Sequence, residues 1–274
     1  MVELIKVALA ALPWFVLWSM LGYFAVFGLT ACAPGSVGMN ADMVTDFDEP
    51  EIRRRARLRL ELAVAYFGKG QTTDALDHLK QSIASDPSLF EAYNLRGLIY
   101  MRLNDVALAE ESFKRALVIN AKAATVQHNY GWLLCQQDRI PEALQLFGAA
   151  LANPVYADKA KTWMTQGLCQ QKNGQLADAE TSLLRSYELD PGNPIAAYNL
   201  ALMGFQRGEY VRAQFYTRQL NNSELANAES LWLGIKVEHR MGNHEAVAQL
   251  AAQLKKRYAQ SREYAAFIRG AFDE

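Results

Sequence analysis

Residues 92–117 read AYNLRGLIYMRLNDVALAEESFKRAL. Gly97 is followed twelve positions later by Ala109, and Asn104-Asp105 breaks the apolar pattern between them. Two helices joined by a tight turn are expected here, crossing where the two small residues let their axes approach. The spacing recurs at Ala63/Ala75, Gly131/Ala143, Gly167/Ala179, Ala201/Ala213 and Gly234/Ala246, so that successive pairs stand 34, 34, 36, 34 and 33 residues apart. Four residues after each alanine comes Leu79, Phe113, Phe147, Leu183, Thr217 or Leu250, and three further on Ser82, Ala116, Ala150, Ser186, Leu220 or Gln253. The first four units match well and the last two drift. Absence of bulk at the crossing is a packing requirement, not a catalytic one.

A period near 34 built on paired helices is the signature of the tetratricopeptide repeat. The fold class expected is all-α, a right-handed superhelix of about six helix-turn-helix repeats over residues 51–260, followed by a capping helix over 261–274. Helix ends tolerant of positive φ are expected at Gly70, Asn104-Asp105, Asp138, Asn173-Gly174, Arg207-Gly208 and Gly242-Asn243. Asp86-Pro87 and Asp190-Pro191 end two second helices; Asn120-Ala121 lacks the proline, and Asn153-Pro154 is shifted by the two-residue insertion. Tyr264, Ala265, Phe267, Ile268 and Phe272 recur at helical spacing, as a cap over the last repeat requires.

The N-terminus follows another logic. Residues 7–30 carry no charge, and Lys6 is the only basic side chain before them. Such a run is long enough to span a bilayer, which needs about 20 apolar residues, and length alone favours an inner-membrane anchor. Leu29-Thr30-Ala31-Cys32 closes the run and resembles the lipobox of bacterial lipoproteins. That resemblance implies a signal peptide over 1–31, a lipidated Cys32 and a flexible tether over 32–50. With Ala33 in place of aspartate, it also implies sorting to the periplasmic face of the outer membrane. Several acyl chains hold a protein far more firmly than one. The tether, rich first in Pro, Gly and Ser and then in Asp42, Asp46, Asp48 and Glu49, has an r.m.s. reach of roughly 20 to 25 Å. Arg53, Arg54, Arg55, Arg57 and Arg59 form the one dense basic run, read as a solvated helix face or as attraction to anionic head groups or an acidic partner.

The remaining composition narrows the function by exclusion. Lys and Arg total 28 against 29 Asp and Glu, so there is no net field to draw nucleic acid. The histidines are His78, His128, His239 and His244; no nucleophile triad, paired-carboxylate setting, phosphate-cradling glycine loop or metal-ligand spacing accompanies them. The chain reads as a non-enzymatic scaffold without cofactor or metal. An oxidising periplasm would permit a disulfide between Cys135 and Cys169, but the expectation is two free thiols in first helices, where a small apolar residue is common.

In a tetratricopeptide stack the first helix of each repeat lines the concave groove with its second, fifth, ninth and twelfth positions. Those positions include Phe67, Leu98, Met101, His128, Trp132, Tyr198 and Phe205, an apolar and aromatic set suited to a helix or extended peptide. Each of them has the alternative of filling the core between repeats.

The lipobox, the acidic tether, repeats such as AYNLRGLIYMRLNDVALAEESFKRAL, and QHNYGWLLCQQDRIPEAL at 127–144 followed by Asn153-Pro154 resemble the PilF/PilW family of type IV pilus biogenesis and stability proteins. The resemblance covers the whole chain. It implies a pilotin or assembly factor that helps the secretin subunit reach the outer membrane and form its ring, supporting stable pili and twitching motility. Cys32 would be the anchor and the groove the partner site. The other reading is a periplasmic repeat lipoprotein serving peptidoglycan enzymes or outer-membrane protein assembly.

Overall fold

The computed structural model describes residues 50–273, and the expected signal peptide, Cys32 and nearly all of the tether lie outside them. Twelve helices pair in sequence: α1 (Glu51–Gly68) with α2 (Thr72–Ser85), α3 (Phe90–Arg102) with α4 (Val106–Ile119), α5 (Ala124–Gln136) with α6 (Ile140–Ala152), α7 (Lys159–Lys172) with α8 (Leu176–Leu189), α9 (Pro194–Gln206) with α10 (Tyr210–Asn221), and α11 (Ala228–Arg240) with α12 (His244–Tyr258). Each second helix then packs on the next first helix, and α13 (Arg262–Arg269) packs on α11 and α12. Among the described residues no helix is long and apolar enough to cross a membrane.

The six turns inside the repeats are set by one backbone requirement. Gly70, Asn104, Asp138, Gly174, Gly208 and Gly242 all have positive φ, the left-handed conformation that ends a helix cheaply only in glycine and, less well, in asparagine or aspartate. The corners between repeats use side chains instead. Asp86 Oδ1 accepts from the Ser88 amide at 2.9 Å, and Asn120, Asn153 and Asp190 accept from the amides two residues on at 3.1 Å each. Ser223 Oγ does the same for Leu225 at 3.1 Å. The proline seen in three of these corners, after Asp86, Asn153 and Asp190, is absent after Asn120 and Ser223, so the side-chain acceptor is the feature that all five share.

The small pairs lie where they were expected, and the fit is tighter than the exclusion of anything larger than alanine. A Cβ added at Gly97 would stand 2.6 Å from the Phe113 ring, and one at Gly131 would stand 2.8 Å from that of Phe147. At Gly167 it would meet Leu183 Cγ at 2.8 Å. Even a methyl group is too much there, so in the second and third repeats glycine supplies the hole that a wholly buried phenylalanine fills. Ala63 and Ala201, at the corresponding positions of the first and fifth repeats, keep their methyl groups and are wholly buried.

The cap also differs in detail from its pattern. Ser261 accepts from the Tyr264 amide to start α13, and Gly270 in the left-handed region stops it. Tyr264, Phe267 and Phe272 pack on the last repeat, whereas Ala265 and Ile268 face solvent, Ile268 being 64% exposed. Eight residues make about two turns, and Ala266 packs on the last repeat beside the two aromatic side chains of the helix. The basic run mostly satisfies neighbours: Arg53 reaches Asp86 and Ser88, and Arg54 and Arg55 pair with Glu51.

A candidate partner-binding groove

The residues expected on the concave face separate into three groups. Phe67 lies half-buried against the cluster of the first repeat, with the Arg102 guanidinium 5.4 Å above its ring. Leu98, Met101 and Trp132 pack half-buried against the cluster of repeats two to four. Tyr198 and Phe205 do so against the cluster of repeats four to six, beside Met164 and Leu202. Each therefore spends one side on the core and offers the other, which reconciles the two readings of these positions.

His128 takes no place on the groove surface. It is 4% exposed; its Nδ1 lies 2.9 Å from Thr162 Oγ1 on the next repeat, Thr162 lies 3.0 Å from the Tyr156 hydroxyl, and the Phe147 ring is 6.0 Å away. Burial, together with the nearby charge of Lys161, pulls the imidazole down to about 4. His128 is a neutral link between the third and fourth repeats, held at the point where the extra two residues separate them.

The expectation of free thiols is corrected at the same junction. Cys135 on α5 and Cys169 on α7 are both buried and form a disulfide, with Cα atoms 5.9 Å apart. Their separation of 34 residues equals the common period, but the local period is 36. Two residues at equal register in a stack point the same way and cannot meet. The insertion offsets Cys169 by two positions along its helix, about 200° around the axis, and turns it toward α5. The Lys172 ammonium lies over the joint, 3.2 Å from the Cys135 carbonyl oxygen and 2.6 Å from Asp138.

Carboxylates tie the outer layers of the stack. Glu110 accepts from Tyr130 at 2.8 Å and from Arg139 at 2.9 Å; burial works against its charge, but these bonds and that of Lys114 hold it at about 2. Glu180, bonded to Arg207 and Arg212, is likewise held at about 2. Glu238 is wholly buried, yet Arg218, Gln214 and Asn243 donate to it at 2.7, 2.8 and 2.6 Å and keep it below the usual carboxylate range. These arrangements are structural. Among the described residues no group of His, Cys, Asp and Glu is placed to hold a metal ion.

At its C-terminal end the groove deepens into a cavity between α9, α11 and α13, where Tyr198 and Leu202 meet Trp232 and Lys236. Lys236 also lies 5.4 Å from the centre of the Phe205 ring. Sequence reasoning missed Trp232 and Lys236, although the signal was present: they stand 34 residues after Tyr198 and Leu202. Counting instead from Gly234, which comes 33 after Ala201, lands on Leu231 and Ile235, both fully buried.

Paired helices at this period, stacked around a groove of half-buried aromatic residues, define a repeat scaffold, and the tetratricopeptide repeat family matches the chain at residues 60–124, 128–194 and 164–223. The chain belongs to that family. It is 28% identical over 240 residues to the type IV pilus assembly protein PilF of Pseudomonas aeruginosa, covering 88% of this chain and 93% of that one. The crystal structure of PilW, a widely conserved type IV pilus biogenesis factor, superposes with a TM-score of 0.68 at 31% identity, over 78% of this chain and 98% of PilW. The structure of Pseudomonas aeruginosa PilF gives 0.74 at 26% identity, over 81% of this chain and all of the other. The chain is a type IV pilus biogenesis protein of the PilF and PilW kind.

Proposed function

We propose that this protein is an outer-membrane lipoprotein, anchored through Cys32, whose concave groove holds the secretin subunit of the type IV pilus machinery and promotes formation of the secretin ring. The observation that carries the reading is the extent of the likeness to PilW, which runs through 98% of that chain, so the same face is built from the same repeats. The half-buried Phe67, Met101, Trp132, Tyr198 and Phe205 give a helix or extended strand of the partner apolar contacts without exposing a continuous patch. The Leu29-Thr30-Ala31-Cys32 motif supports the anchor, and a buried disulfide suits a compartment outside the reducing cytosol.

Two measurements test it. Trp132→Ala should leave helicity and abundance unchanged and weaken partner binding by about 2 kcal/mol if the indole is a hot spot, so that gels show secretin monomers in place of detergent-resistant rings. Cys32→Ser should abolish incorporation of labelled fatty acid and release the protein from the outer-membrane fraction. Rings and pili that persist in a complete deletion would end the secretin reading; equal fatty-acid label in wild type and Cys32→Ser would end the anchor.

A further inference from the structure

Two side-chain amides link the first helices of the second and third repeats. Asn129 on α5 donates from Nδ2 to Asn94 Oδ1 on α3 at 3.0 Å. Asn94 precedes Leu98 and Met101 by four and seven residues, and Asn129 precedes Trp132 by three, so the pair shares the helix faces that carry the half-buried side chains of the groove. At the register of Asn94 the other repeats place Leu60, His128, Met164, Tyr198 and Trp232. His128 is turned into the core, and the rest are apolar or aromatic. The two amides are thus a polar interruption in an apolar row.

Asn129 is only 8% exposed, a degree of burial at which an amide ordinarily has its groups bonded. Joining the repeats uses one donor and one acceptor. Among the described residues the Asn94 Nδ2 meets no acceptor and the Asn129 Oδ1 meets no donor. A donor and an acceptor held side by side match the C=O and the N–H of a peptide backbone. Inside a helix both groups are already bonded within the segment. An extended segment keeps them for a partner and sends its side chains alternately to either side.

We propose that Asn94 and Asn129 read the backbone of a partner segment bound in extended form, Asn94 Nδ2 donating to a peptide carbonyl oxygen and Asn129 Oδ1 accepting from a peptide N–H. The flanking side chains of that segment lie on Leu98, Met101 and Trp132. The inference rests on the reading of the concave face as the partner-binding surface, and adds the conformation which that face selects, strand over helix.

The test uses the full chain in detergent micelles and dodecapeptides selected on it from a random displayed library. Peptides that lose binding to Trp132→Ala are groove ligands, and each is remade with one backbone nitrogen methylated at a time. Methylation at one internal position should weaken binding by about tenfold or more, read by fluorescence anisotropy. Asn129→Leu should bind the methylated and unmethylated forms equally. Asn94→Asp keeps an acceptor for Asn129 Nδ2 but loses the outward donor, and should weaken both forms alike. Circular dichroism confirms that each variant is folded; if Asn129→Leu is not, Asn94→Asp decides by itself. No groove-dependent peptide, indifference to every methylation, a sensitivity that survives Asn129→Leu, or wild-type binding by Asn94→Asp overturns the proposal. Indifference to methylation is also the result expected if the amides hold a partner's Asn or Gln side chain instead. Because the library is random, a groove that reads extended backbone but does not hold the secretin passes this test and fails the ring assay.

Discussion

The third repeat and the sixth meet the same packing demand with different chemistry. In the third, Gly131 makes a hole, Phe147 fills it, and Ala143 closes the crossing, all of it apolar and fully buried. In the sixth, Gly234 faces Leu250, but the nearest atom to its absent Cβ is the Asn221 amide nitrogen of the preceding repeat, at 2.6 Å. Glu238 sits wholly buried close by, and a cleft of about 360 Å³ opens between α10, α11 and α12. Where the register is strict, knob meets hole and shape alone completes the core. Where it drifts by a residue, knobs miss their holes, and hydrogen-bonded side chains fill the irregular gaps at the cost of directional constraints. The two repeats should therefore fail in different ways.

The largest expected effect is in the third repeat. Gly131→Leu drives a branched side chain into Phe147 and should cost about 3 kcal/mol or more, read as a lower denaturation midpoint of the full chain in detergent; an unchanged midpoint would break the knob-and-hole account. The next effect depends on pH. The folded value of His128 is about 4 against an ordinary 6.5, so the unfolded chain takes up the proton first as pH falls. Stability is complete above pH 6.5 and declines toward pH 4, by up to about 3 kcal/mol. His128→Gln should flatten that slope. The loss that comes with protonation of Glu110 and Glu180, which runs from 4.5 down toward 2, should remain in the variant.

At the drifted end, Glu238→Ala leaves Gln214 and Asn243 without their acceptor and should cost about 2 kcal/mol. Arg218 is exposed enough to return to water. A volume-matched Glu238→Gln should recover part of the loss, whereas no polar replacement at Gly131 should recover any, which sharpens the contrast between bonding and shape. The smallest effect is a gain. Gly148 lies on the exposed face of α6 with nothing near its absent Cβ, so Gly148→Ala should stabilise by about 0.5 to 1 kcal/mol through helix propensity, measured by the same denaturation.

What the chain reveals before folding follows the same division. The crossings at Gly97, Gly131 and Gly167 and the turns at Gly70, Asn104, Asp138 and Gly174 were legible because each depends on a backbone or volume rule that one residue type satisfies. The bond between Cys135 and Cys169 was not, because their 34-residue spacing imitates equal register and only the local period of 36 betrays the offset. Trp232 and Lys236 were hidden by a one-residue slip in the sixth repeat.

A stack of helix pairs is also a spring, since its coils touch only their neighbours and can tilt apart at each joint. The covalent staple between α5 and α7 removes one joint from that freedom, and it is placed at the joint whose longer connection would otherwise yield first. Extension and twist under load are then confined to the coils on either side of a stiff middle. A pull along the chain would be felt at the ends of the groove, where Phe67 and Lys236 lie, before it reached the centre.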